Sequence, residues 1–587
     1  MLRKAETPAS TSMLRAPALR LLRSMGHRAV AARAASSVQV PAKRSLEDLA
    51  FDNTFVRELP ADPEASNSLR QVFGALYSRV SPTPAAGEPR LVAYSREVAE
   101  LLDLDSTECE RPEFALLMAG AAPLPGSEPY AQCYGGHQFG QWAGQLGDGR
   151  AITLGEASLR GRVVNARGGR WELQLKGAGR TPYSRRADGR AVLRSSLREY
   201  VCSEAMAALG VPTTRALSLV TTGDKVMRDM FYNGDVKFEP GAVVCRVAPS
   251  FVRFGTFQLP VSRGPEETGL TRSAADYVIR HHYPEIAAAH EGPSKYLAWL
   301  REVSLRTARL AAAWQGVGFV HGVLNTDNMS ILGLTIDYGP FGFLDKFDPY
   351  WSPNLTDIQS GRRYCYRNQP EMAQWNCAQL ANALLAAELV GKEEAEEVLR
   401  EYAEVLLQEY NRRMAAKMGL QSYDKALAME LLKLMFESEA DFTNTFRALA
   451  SIPASDAAPA SDTPPGARGL PAALAAAIPE EQLTEEEAAS WHAWLGAWRA
   501  RLREEGVADE ERWAAMKRAS PKFVPRQHLL QYAIDAAEGG DFSELEALLE
   551  VLAAPYDDQP GADAKYSSPP PAELADKPGV CMLSCSS

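Results

Sequence analysis

Apolar positions along the chain follow strand-like spacing in some regions and helix-like spacing in others. Between residues 171 and 176 every second side chain is apolar, which is typical of a half-buried β-strand. Residues 193–209 instead carry an apolar residue at every fourth position, which predicts an amphipathic helix. Strand-like segments recur in 216–257, and a long series of predicted helices follows, including one at 296–316. The pattern predicts an α+β protein whose strands largely precede its helices.

Changes in pattern and in glycine and proline content suggest where the chain divides. The predicted parts are a transit peptide at 1–44, an extension packing on the body at 45–126, a strand-rich lobe at 127–260, a helical lobe at 261–550 with a flexible insertion at 451–479, and a disordered tail at 551–587.

Residues 1–44 are basic and poor in acidic side chains. They contain nine Lys or Arg residues and one acid, Glu6, among alanines, leucines and serines. After Pro17, apolar residues recur at helical spacing with Arg20 and Arg23 between them. This composition predicts an organelle transit peptide, for the mitochondrion first and the plastid second. A basic disordered tail is the alternative.

Composition and charge narrow the class of protein. A chain of 587 residues exceeds the size at which a single hydrophobic core is usually found, so two or more lobes are expected. The net charge of -11 argues against a general nucleic-acid binder. Because no run approaches the ~20 apolar residues that span a bilayer, we expect no membrane segment. The eight cysteines form neither a disulfide framework nor paired zinc-ligand spacing.

Glycine is concentrated between Tyr134 and Arg150, directly before an apolar segment. The sequence is Tyr-Gly-Gly-His-Gln-Phe-Gly-Gln-Trp-Ala-Gly-Gln-Leu-Gly-Asp-Gly-Arg. Glycines let a backbone approach a ligand closely, and exposed amides in such a loop bind phosphate. A simple turn explains the same composition.

Lys176 ends the predicted strand, and Glu199 lies in the helix that follows. A strand lysine and a helix glutamate form the ion pair that positions ATP phosphates in kinases. The alternatives are that Lys176 is a solvated edge charge and that Glu199 pairs with Arg194 or Arg198 on an exposed helix surface. The positions of Lys176 and Glu199 alone do not decide between the kinase ion pair and these surface roles.

Residues 319–345 hold the candidate catalytic groups. In a conventional protein kinase this loop reads His-Arg-Asp, four residues, then Asn, with the aspartate as base and the asparagine on magnesium. His321 takes the first place and Asn328 the last, but Val323 stands where the base is expected. Asp327 is the candidate replacement base, and a helix or turn cap is the alternative role.

An Asp-Tyr-Gly sequence begins at Asp337, nine residues after Asn328. The apolar residues between them predict a short buried strand. An aspartate at the end of such a strand is well placed to hold magnesium against nucleotide phosphates, although an Asx turn is the alternative. The order Lys176, Glu199, Asn328, Asp337 favours the nucleotide site.

The missing base does not by itself indicate an inactive protein. General acid–base catalysis contributes ~10² to 10⁴ in rate, whereas phosphoryl transfer depends mostly on positioning and charge stabilisation. We therefore predict an ATP-using transferase with altered catalytic-loop chemistry. The alternatives are an ordinary phosphotransferase, against which Val323 counts, and a catalytically silent nucleotide-binding scaffold.

Several segments resemble the selenoprotein O family, the kinase-like protein adenylyltransferases also called YdiU-type proteins. The resemblance covers roughly residues 46–550. It is carried by Tyr-Gly-Gly-His-Gln-Phe-Gly at 134–140, Gly-Asp-Gly-Arg at 147–150, Gln-Leu-Lys-Gly-Ala-Gly at 174–179, Asp-Gly-Arg-Ala-Val-Leu-Arg-Ser-Ser at 188–196, His-Gly-Val-Leu-Asn-Thr-Asp-Asn-Met-Ser at 321–330 and Ile-Asp-Tyr-Gly-Pro-Phe-Gly-Phe at 336–343.

The resemblance implies a bilobal protein-kinase-like fold that binds ATP turned around, so that AMP is transferred to Ser, Thr or Tyr hydroxyls of target proteins. It implies Asp327 as proton acceptor, and Asn328 and Asp337 as ligands of magnesium, with manganese as the alternative. The nucleotide-binding residues that it implies are Gly147, Gly149, Arg150, Lys176 supported by Glu199, Asp188, Gly189, Arg246, Arg253 and Asp337.

Two cysteines near the end of the chain have an open role. Many eukaryotic members of the family that the chain resembles carry selenocysteine third from the end, where this chain has Cys585. Cys581 and Cys585 are separated by three residues rather than by the two of a typical redox motif. A redox or regulatory disulfide and a flexible tail without such a role both remain open.

Overall fold

The computed structural model describes residues 43–158, 169–455, 466–575 and 577–584. Residues 1–42 of the predicted transit peptide, 456–465 of the predicted insertion, and Cys585 lie outside these ranges. The strands are β1 (Ala50–Phe51), β2 (Tyr77–Arg79), β3 (Arg90–Tyr94), β4 (Tyr130–Gln132), β5 (Gly135–Gln138), β6 (Gln141–Gln145), β7 (Ala151–Ser158), β8 (Arg170–Lys176), β9 (Ala191–Val192), β10 (Arg215–Asp229), β11 (Val236–Ala248), β12 (Phe319–Val320) and β13 (Gly342–Phe343).

Helices dominate the chain after β11. They are α1 (Thr54–Glu58), α2 (Arg96–Leu101), α3 (Pro112–Met118), α4 (Leu193–Ala208), α5 (Phe254–Arg263), α6 (Thr268–His282), α7 (Pro284–Ala289), α8 (Ser294–Val317), α9 (Leu355–Gln359), α10 (Gln369–Ala386), α11 (Lys392–Lys417), α12 (Lys425–Glu437), α13 (Phe442–Leu449), α14 (Ala472–Ala475), α15 (Glu485–Glu505), α16 (Asp509–Ala519), α17 (Gln527–Glu538), α18 (Ser543–Ala553), α19 (Asp563–Tyr566) and α20 (Ala572–Ala575). The predicted lobe boundary at 260 falls inside α5. None of the helices in the described ranges combines the length and hydrophobicity needed to cross a bilayer.

Nine strands of the described chain form one large sheet. Its main path runs β2, β4, β7, β8, β11, β10, β3, with β1 paired to β7 and β9 to β11. All of these pairings are antiparallel. Because β8 lies between β7 and β11, residues 172–176 are buried on both faces of the sheet. The alternating pattern of β8 therefore separates an apolar face from a buried polar face, and the polar face carries Lys176.

Helices α4 and α8 confirm the two clearest helical patterns. The apolar side of α4 packs into the same hydrophobic core as α8, α10 and α17. Trp299 and Trp314 of α8 are buried in that core. Gly318 ends α8 with a φ of 73°, a left-handed conformation that glycine adopts without strain. The chain then enters β12 and the candidate catalytic loop.

The predicted buried strand between Asn328 and Asp337 is wrong. The segment turns at Gly333, whose φ is 67°, and makes only isolated bridges on either side of the turn. Its apolar residues Met329, Ile331 and Ile336 are nevertheless buried. A short run of apolar residues indicates that a segment is buried, but it does not distinguish a strand from a buried irregular segment.

The described part of the predicted tail is more ordered than its composition suggests. The predicted tail at 551–587 includes α19 and α20 and a final segment that pairs with the body. Leu583 is fully buried, its amide donates to Pro353 O at 2.7 Å, and its carbonyl accepts from Leu355 N at 2.8 Å. One apolar side chain and a pair of backbone hydrogen bonds anchor a segment whose proline and serine content suggested disorder.

Candidate active site

Lys176 lies at the centre of a buried cluster of charges. Its Nζ is 2.7 Å from Glu199 Oε2 and 2.6 Å from Asp337 Oδ1. The Lys176 and Glu199 side chains are 8% and 3% exposed, so Lys176 is not an edge charge and Glu199 does not face solvent. Strand β8, helix α4 and the Asp-Tyr-Gly segment thus bring together three residues that are far apart in sequence.

Two arginines complete the surroundings of Asp337. Arg246 Nη1 lies 3.1 Å from Glu199 Oε1 and 3.2 Å from Asp337 Oδ1. Arg253 Nη1 lies 3.2 Å from Asp337 Oδ2. Burial alone would raise the pKa of Asp337, but the adjacent Lys176, Arg253 and Arg246 hold it well below its usual value. These neighbours therefore favour the ionised form of Asp337, whose side chain remains 27% exposed.

His321 fixes the catalytic loop to the segment that carries Asp337. Its Nε2 lies 3.1 Å from Ile336 O, and its Nδ1 lies 3.3 Å from Val323 N. A carbonyl beside Nε2 and an amide beside Nδ1 require a neutral ring that is protonated on Nε2. Burial lowers the pKa of His321, which is consistent with that neutral form. His321 therefore acts as a structural link rather than as a base.

The oxygens of Asn328 and Asp337 converge on one position. Asn328 Nδ2 donates to Val323 O at 3.0 Å, which directs its Oδ1 towards Arg253. Arg253 Nη1 contacts both Asn328 Oδ1, at 3.4 Å, and Asp337 Oδ2, at 3.2 Å. An amide and a carboxylate oxygen that share one cationic neighbour suit a hard divalent cation.

Asn328 and Asp337 are the two candidate metal ligands that the catalytic loop and the Asp-Tyr-Gly segment supply. Among the described residues there is no group of three or more His, Cys, Asp or Glu side chains that would hold a metal. Magnesium in nucleotide sites is typically held by one or two carboxylates together with phosphates and water. Asn328 and Asp337 are both partly exposed, so a nucleotide has access to the same position.

Asp327 presents an unused carboxylate oxygen beside Asn328. Its Oδ2 accepts from Gln138 Nε2 at 3.1 Å. Its Oδ1 is buried and accepts no hydrogen bond from the described residues. Burial raises the pKa of Asp327 to about 6. An aspartate with one fixed oxygen and one unsatisfied oxygen is suited to receive a proton from a bound hydroxyl.

The first part of the glycine-rich segment forms a hairpin of β5 and β6 that lies on the catalytic loop. His137 N donates to Thr326 Oγ1 at 2.7 Å, within the 3₁₀ helix Thr326–Asn328. A Cβ on Gly136 would lie 2.5 Å from Asp327 Oδ1, closer than real Cβ contacts. Gly136 therefore permits the close approach of the hairpin to the candidate proton acceptor. Sequence reasoning missed this role of the segment.

The second part of the segment, at 147–150, packs beneath the site. Gly147 adopts a φ of 120° against Tyr183. The amides of Asp148 and Gly149 donate to backbone carbonyls within the protein, so they are not available to a phosphate. The Arg150 side chain is half-buried and has no carboxylate within 4.0 Å in the described ranges.

Asp148 is a site residue that sequence reasoning also missed. Its buried carboxylate lies 3.6 Å from Arg253 Nη2 and accepts from Gln132 N at 3.1 Å. Burial raises the pKa of Asp148, although Arg253 acts in the opposite direction. An acidic residue flanked by glycines on both sides was the available signal. Its partner Arg253 is 105 positions away, which the local pattern does not reveal.

Asp188 and Gly189 lie beside the turn that follows Lys176. Gly189 O accepts from Gly179 N at 3.1 Å, and the φ of Gly189 is 72°. The Asp188 carboxylate pairs with Arg228 at 2.8 and 3.0 Å and makes no ion pair with Lys176 in the described structure. The predicted roles of Asp188 and Gly189 in nucleotide binding stay predictions.

A family model described as protein adenylyltransferase SelO matches residues 64–553. The chain belongs to the SelO family. Curated relatives named protein nucleotidyltransferase YdiU are 52% identical over 546 residues in Azoarcus sp., 52% over 549 in Aromatoleum aromaticum and 49% over 542 in Methylobacillus flagellatus. Each alignment covers 92% of this chain and the whole of the relative. The SelO chain is therefore assigned to the nucleotidyltransferases.

The terminal cysteines of this SelO chain are only partly described. Cys581 is half-exposed, and Cys585 lies outside the described residues. Their redox pairing stays a prediction. The six cysteines earlier in the sequence are buried, as expected of structural thiols.

Proposed function

We propose that this SelO-family chain transfers AMP from ATP to Ser, Thr or Tyr hydroxyls of target proteins. The proposed scaffold is a bilobal kinase-like fold, with the strand-rich part and the helical part on either side of ATP. ATP would be bound turned around relative to ordinary kinases. The observation that carries the proposal is the convergence of Lys176, Arg246 and Arg253 on Asp337 within 3.2 Å.

This convergence supports a site for a nucleotide polyphosphate. Lys176 is held by Glu199, so its ammonium group is fixed rather than free to rotate into solvent. Fixed cations stabilise the charge that develops on phosphate oxygens without reorganising during the reaction. Arg150, which has no ion pair in the described structure, is available as a further phosphate contact. Bound magnesium, on Asn328 and Asp337, would neutralise phosphate charge.

Asp327 supports transfer to a hydroxyl. The acceptor oxygen forms a bond to the α-phosphorus, and the bond from that phosphorus to the oxygen bridging to the β-phosphate breaks. Pyrophosphate leaves with the electron pair, and the hydroxyl proton passes to the Asp327 carboxylate. Gln138 holds Asp327 Oδ2, at 3.1 Å, and thereby orients the carboxylate that accepts the proton.

Val323 favours this reaction over ordinary phosphate transfer. A valine side chain cannot accept a proton, and it occupies the position of the kinase base. Asp327 lies on the following 3₁₀ helix, so the proton acceptor has moved relative to the metal ligands. A displaced base is consistent with attack at a different phosphorus.

Labelled ATP tests the proposal. Wild-type protein and a general protein acceptor are incubated with ATP carrying label on either the α- or the γ-phosphate. We expect label on the acceptor from α-labelled ATP and loss of that label in Asp337→Ala. Label from γ-labelled ATP alone would establish a phosphotransferase instead. Tight ATP binding without transfer of either label would establish a silent scaffold.

We also propose that residues 1–44 direct the protein to the mitochondrion, because nine basic residues and one acid occur among alanines, leucines and serines. A fluorescent protein fused after residue 44 should co-localise with a mitochondrial marker. Localisation to plastids would select the alternative organelle, and a diffuse signal would rule out the transit peptide.

A further inference from the structure

A cationic and aromatic surface adjoins the candidate proton acceptor. It consists of His137, Trp142, Arg363 and Trp375, which we call the aromatic shelf. The ring of His137 lies 5.0 Å from that of Trp142 and 5.5 Å from that of Trp375. The Arg363 guanidinium lies 4.8 Å from the centre of the Trp375 ring. Trp142 is 37% exposed, so the shelf is open to a partner.

Neighbours of the shelf residues connect it to the catalytic loop. Gln138, next to His137, donates to Asp327 Oδ2 at 3.1 Å. Tyr364, next to Arg363, donates from its hydroxyl to Asn325 Oδ1 at 2.8 Å. The shelf is therefore fixed relative to the atom that would receive the acceptor proton.

Arg363 carries a charge that the protein does not neutralise by an ion pair. Within the described ranges no carboxylate oxygen lies within 4.0 Å of its guanidinium, and its Nε is buried without a hydrogen-bond partner. Burial raises the pKa of the nearby Asp357 on α9 and the Arg363 charge opposes that rise, but both Asp357 oxygens accept from Tyr364 N at 3.1 Å and neither pairs with the guanidinium within 4.0 Å. Lys176, Arg246 and Arg253, by contrast, all have carboxylate partners.

We propose that Arg363 selects acceptor segments that carry a carboxylate beside the modified hydroxyl. The inference rests on the proposed AMP transfer and names its substrate class. A guanidinium stacked on an aromatic ring keeps its outer nitrogens available and binds a carboxylate with two parallel hydrogen bonds. An Asp or Glu side chain held there would place the neighbouring hydroxyl on the side of the shelf that faces Asp327.

Matched peptides test the selection. Each pair contains one Ser, Thr or Tyr, flanked by Asp in one peptide and by Lys in the other. Transfer from α-labelled ATP is measured as kcat/KM for wild type and for Arg363→Glu. We expect wild type to favour the Asp peptides by about tenfold or more, and Arg363→Glu to reverse the preference. The ATP dissociation constant should stay within about twofold, since the cations that pair with Asp337 are Lys176, Arg246 and Arg253 and these stay unchanged.

A neighbouring arginine provides the matched control. Arg362 is exposed and donates to Tyr350 O at 3.3 Å, so Arg362→Glu makes the same charge change one position away from the shelf. It should leave the preference unchanged. If Arg363→Glu does not fold, Arg363→Gln should abolish the preference without reversing it.

The outcomes separate this inference from the proposed function. An unchanged preference for Asp peptides in the folded Arg363 variants would overturn the role of Arg363, as would equal use of both peptides by wild type. A reversal produced equally by Arg362→Glu would assign the effect to net charge and would also overturn it. Absence of α-label on any protein acceptor with wild type would overturn the proposed function, and this inference with it.

Discussion

Asp337 shows why the charged residues of the site should act as one unit. It contacts Lys176, Arg246 and Arg253, and Glu199 contacts two of the same cations. Removing one member of a buried charge network leaves its partners without an opposite charge. The losses of activity caused by single substitutions therefore overlap and do not add. The sequence predicted the order of these residues along the chain. It did not predict that Arg246 would join Glu199 to Asp337, because that contact depends on how α4 packs on the sheet.

A double-mutant cycle tests this unit. Lys176→Met and Glu199→Gln should each lower kcat/KM by about 10²-fold or more. The kcat/KM of the double variant should be only slightly lower than that of the less active single variant. The expected coupling is about 1 to 3 kcal/mol. Glu239→Gln is the control, since Glu239 pairs with Arg194 of the same helix at 3.0 Å and should leave kcat/KM nearly unchanged. Losses that simply add would show that Lys176 and Glu199 act independently.

Lys417 gives a prediction about stability. It is buried against the rings of Phe442 and Phe446, and no carboxylate of the described chain lies within 4.0 Å. Burial, with a smaller effect of Arg413, lowers the pKa of Lys417 to about 7. Lys417→Met removes a buried amine and should raise the free energy of unfolding by about 1 to 3 kcal/mol at neutral pH.

The sign of the pH dependence follows from linkage. Between the folded pKa of about 7 and the ordinary value of 10.5, the unfolded state binds a proton that the folded state does not. Stability of the wild type therefore rises with pH in this window relative to the variant. The advantage of Lys417→Met, measured by denaturant unfolding, should shrink from pH 7 to pH 10. An advantage that grows with pH would contradict the lowered pKa.

At the scale of elements, the hairpin of β5 and β6 gives a sharp test. Gly136→Ala would place a methyl group 2.5 Å from Asp327 Oδ1 and displace the proton acceptor. We expect kcat to fall by about 10²-fold while the ATP dissociation constant changes little, because Asp337 and its cations are untouched. Isothermal calorimetry and the α-label assay measure the two quantities.

Gly144→Ala is the control for this change. Gly144 lies in the same hairpin with a φ of 73°, and a Cβ there would meet nothing within 4 Å. It should cost about 1 kcal/mol of stability through its backbone conformation and leave kcat nearly intact. Equal losses of kcat in both variants would show that the hairpin acts only through its overall stability.

The C-terminal segment is a second element with a measurable role. Leu583→Ala removes a fully buried side chain that holds the segment against Pro353 and Leu355. Amide hydrogen exchange in residues 353–359 should accelerate, because the Leu355 amide loses a stable acceptor. Exchange in α8 is the internal reference and should not change. Unaltered exchange at 353–359 would mean that Leu583 does not anchor the tail.

These elements also show what sequence patterns detect. Helices α4 and α8 were predicted within a few residues, because a long amphipathic repeat has few alternative structures. The segment from Met329 to Ile336 was misjudged, because a short apolar run is compatible with any buried backbone. The hairpin on Asp327 was missed, because glycine content indicates close approach without indicating what is approached.

For the whole molecule, the central claim is that a kinase-like arrangement of cations and metal ligands serves AMP transfer. The SelO family membership places the chain among nucleotidyltransferases, and the site supplies groups suited to that chemistry. Fold class could be predicted from the distribution of strand and helix patterns. The positions of the catalytic groups could be predicted in part, because the order of the motifs can be read from the sequence. Contacts between distant residues, such as that of Asp148 with Arg253, cannot be read from it.

Mass spectrometry of an acceptor protein after incubation with ATP and magnesium tests this claim most directly. We predict a mass increase equal to one adenylyl group, located on a Ser, Thr or Tyr hydroxyl. Asp327→Asn, which removes the candidate proton acceptor, should reduce the modified fraction by about 10²-fold or more at equal times. A mass increase equal to one phosphate, or adenylylation at an undiminished rate in Asp327→Asn, would contradict the account.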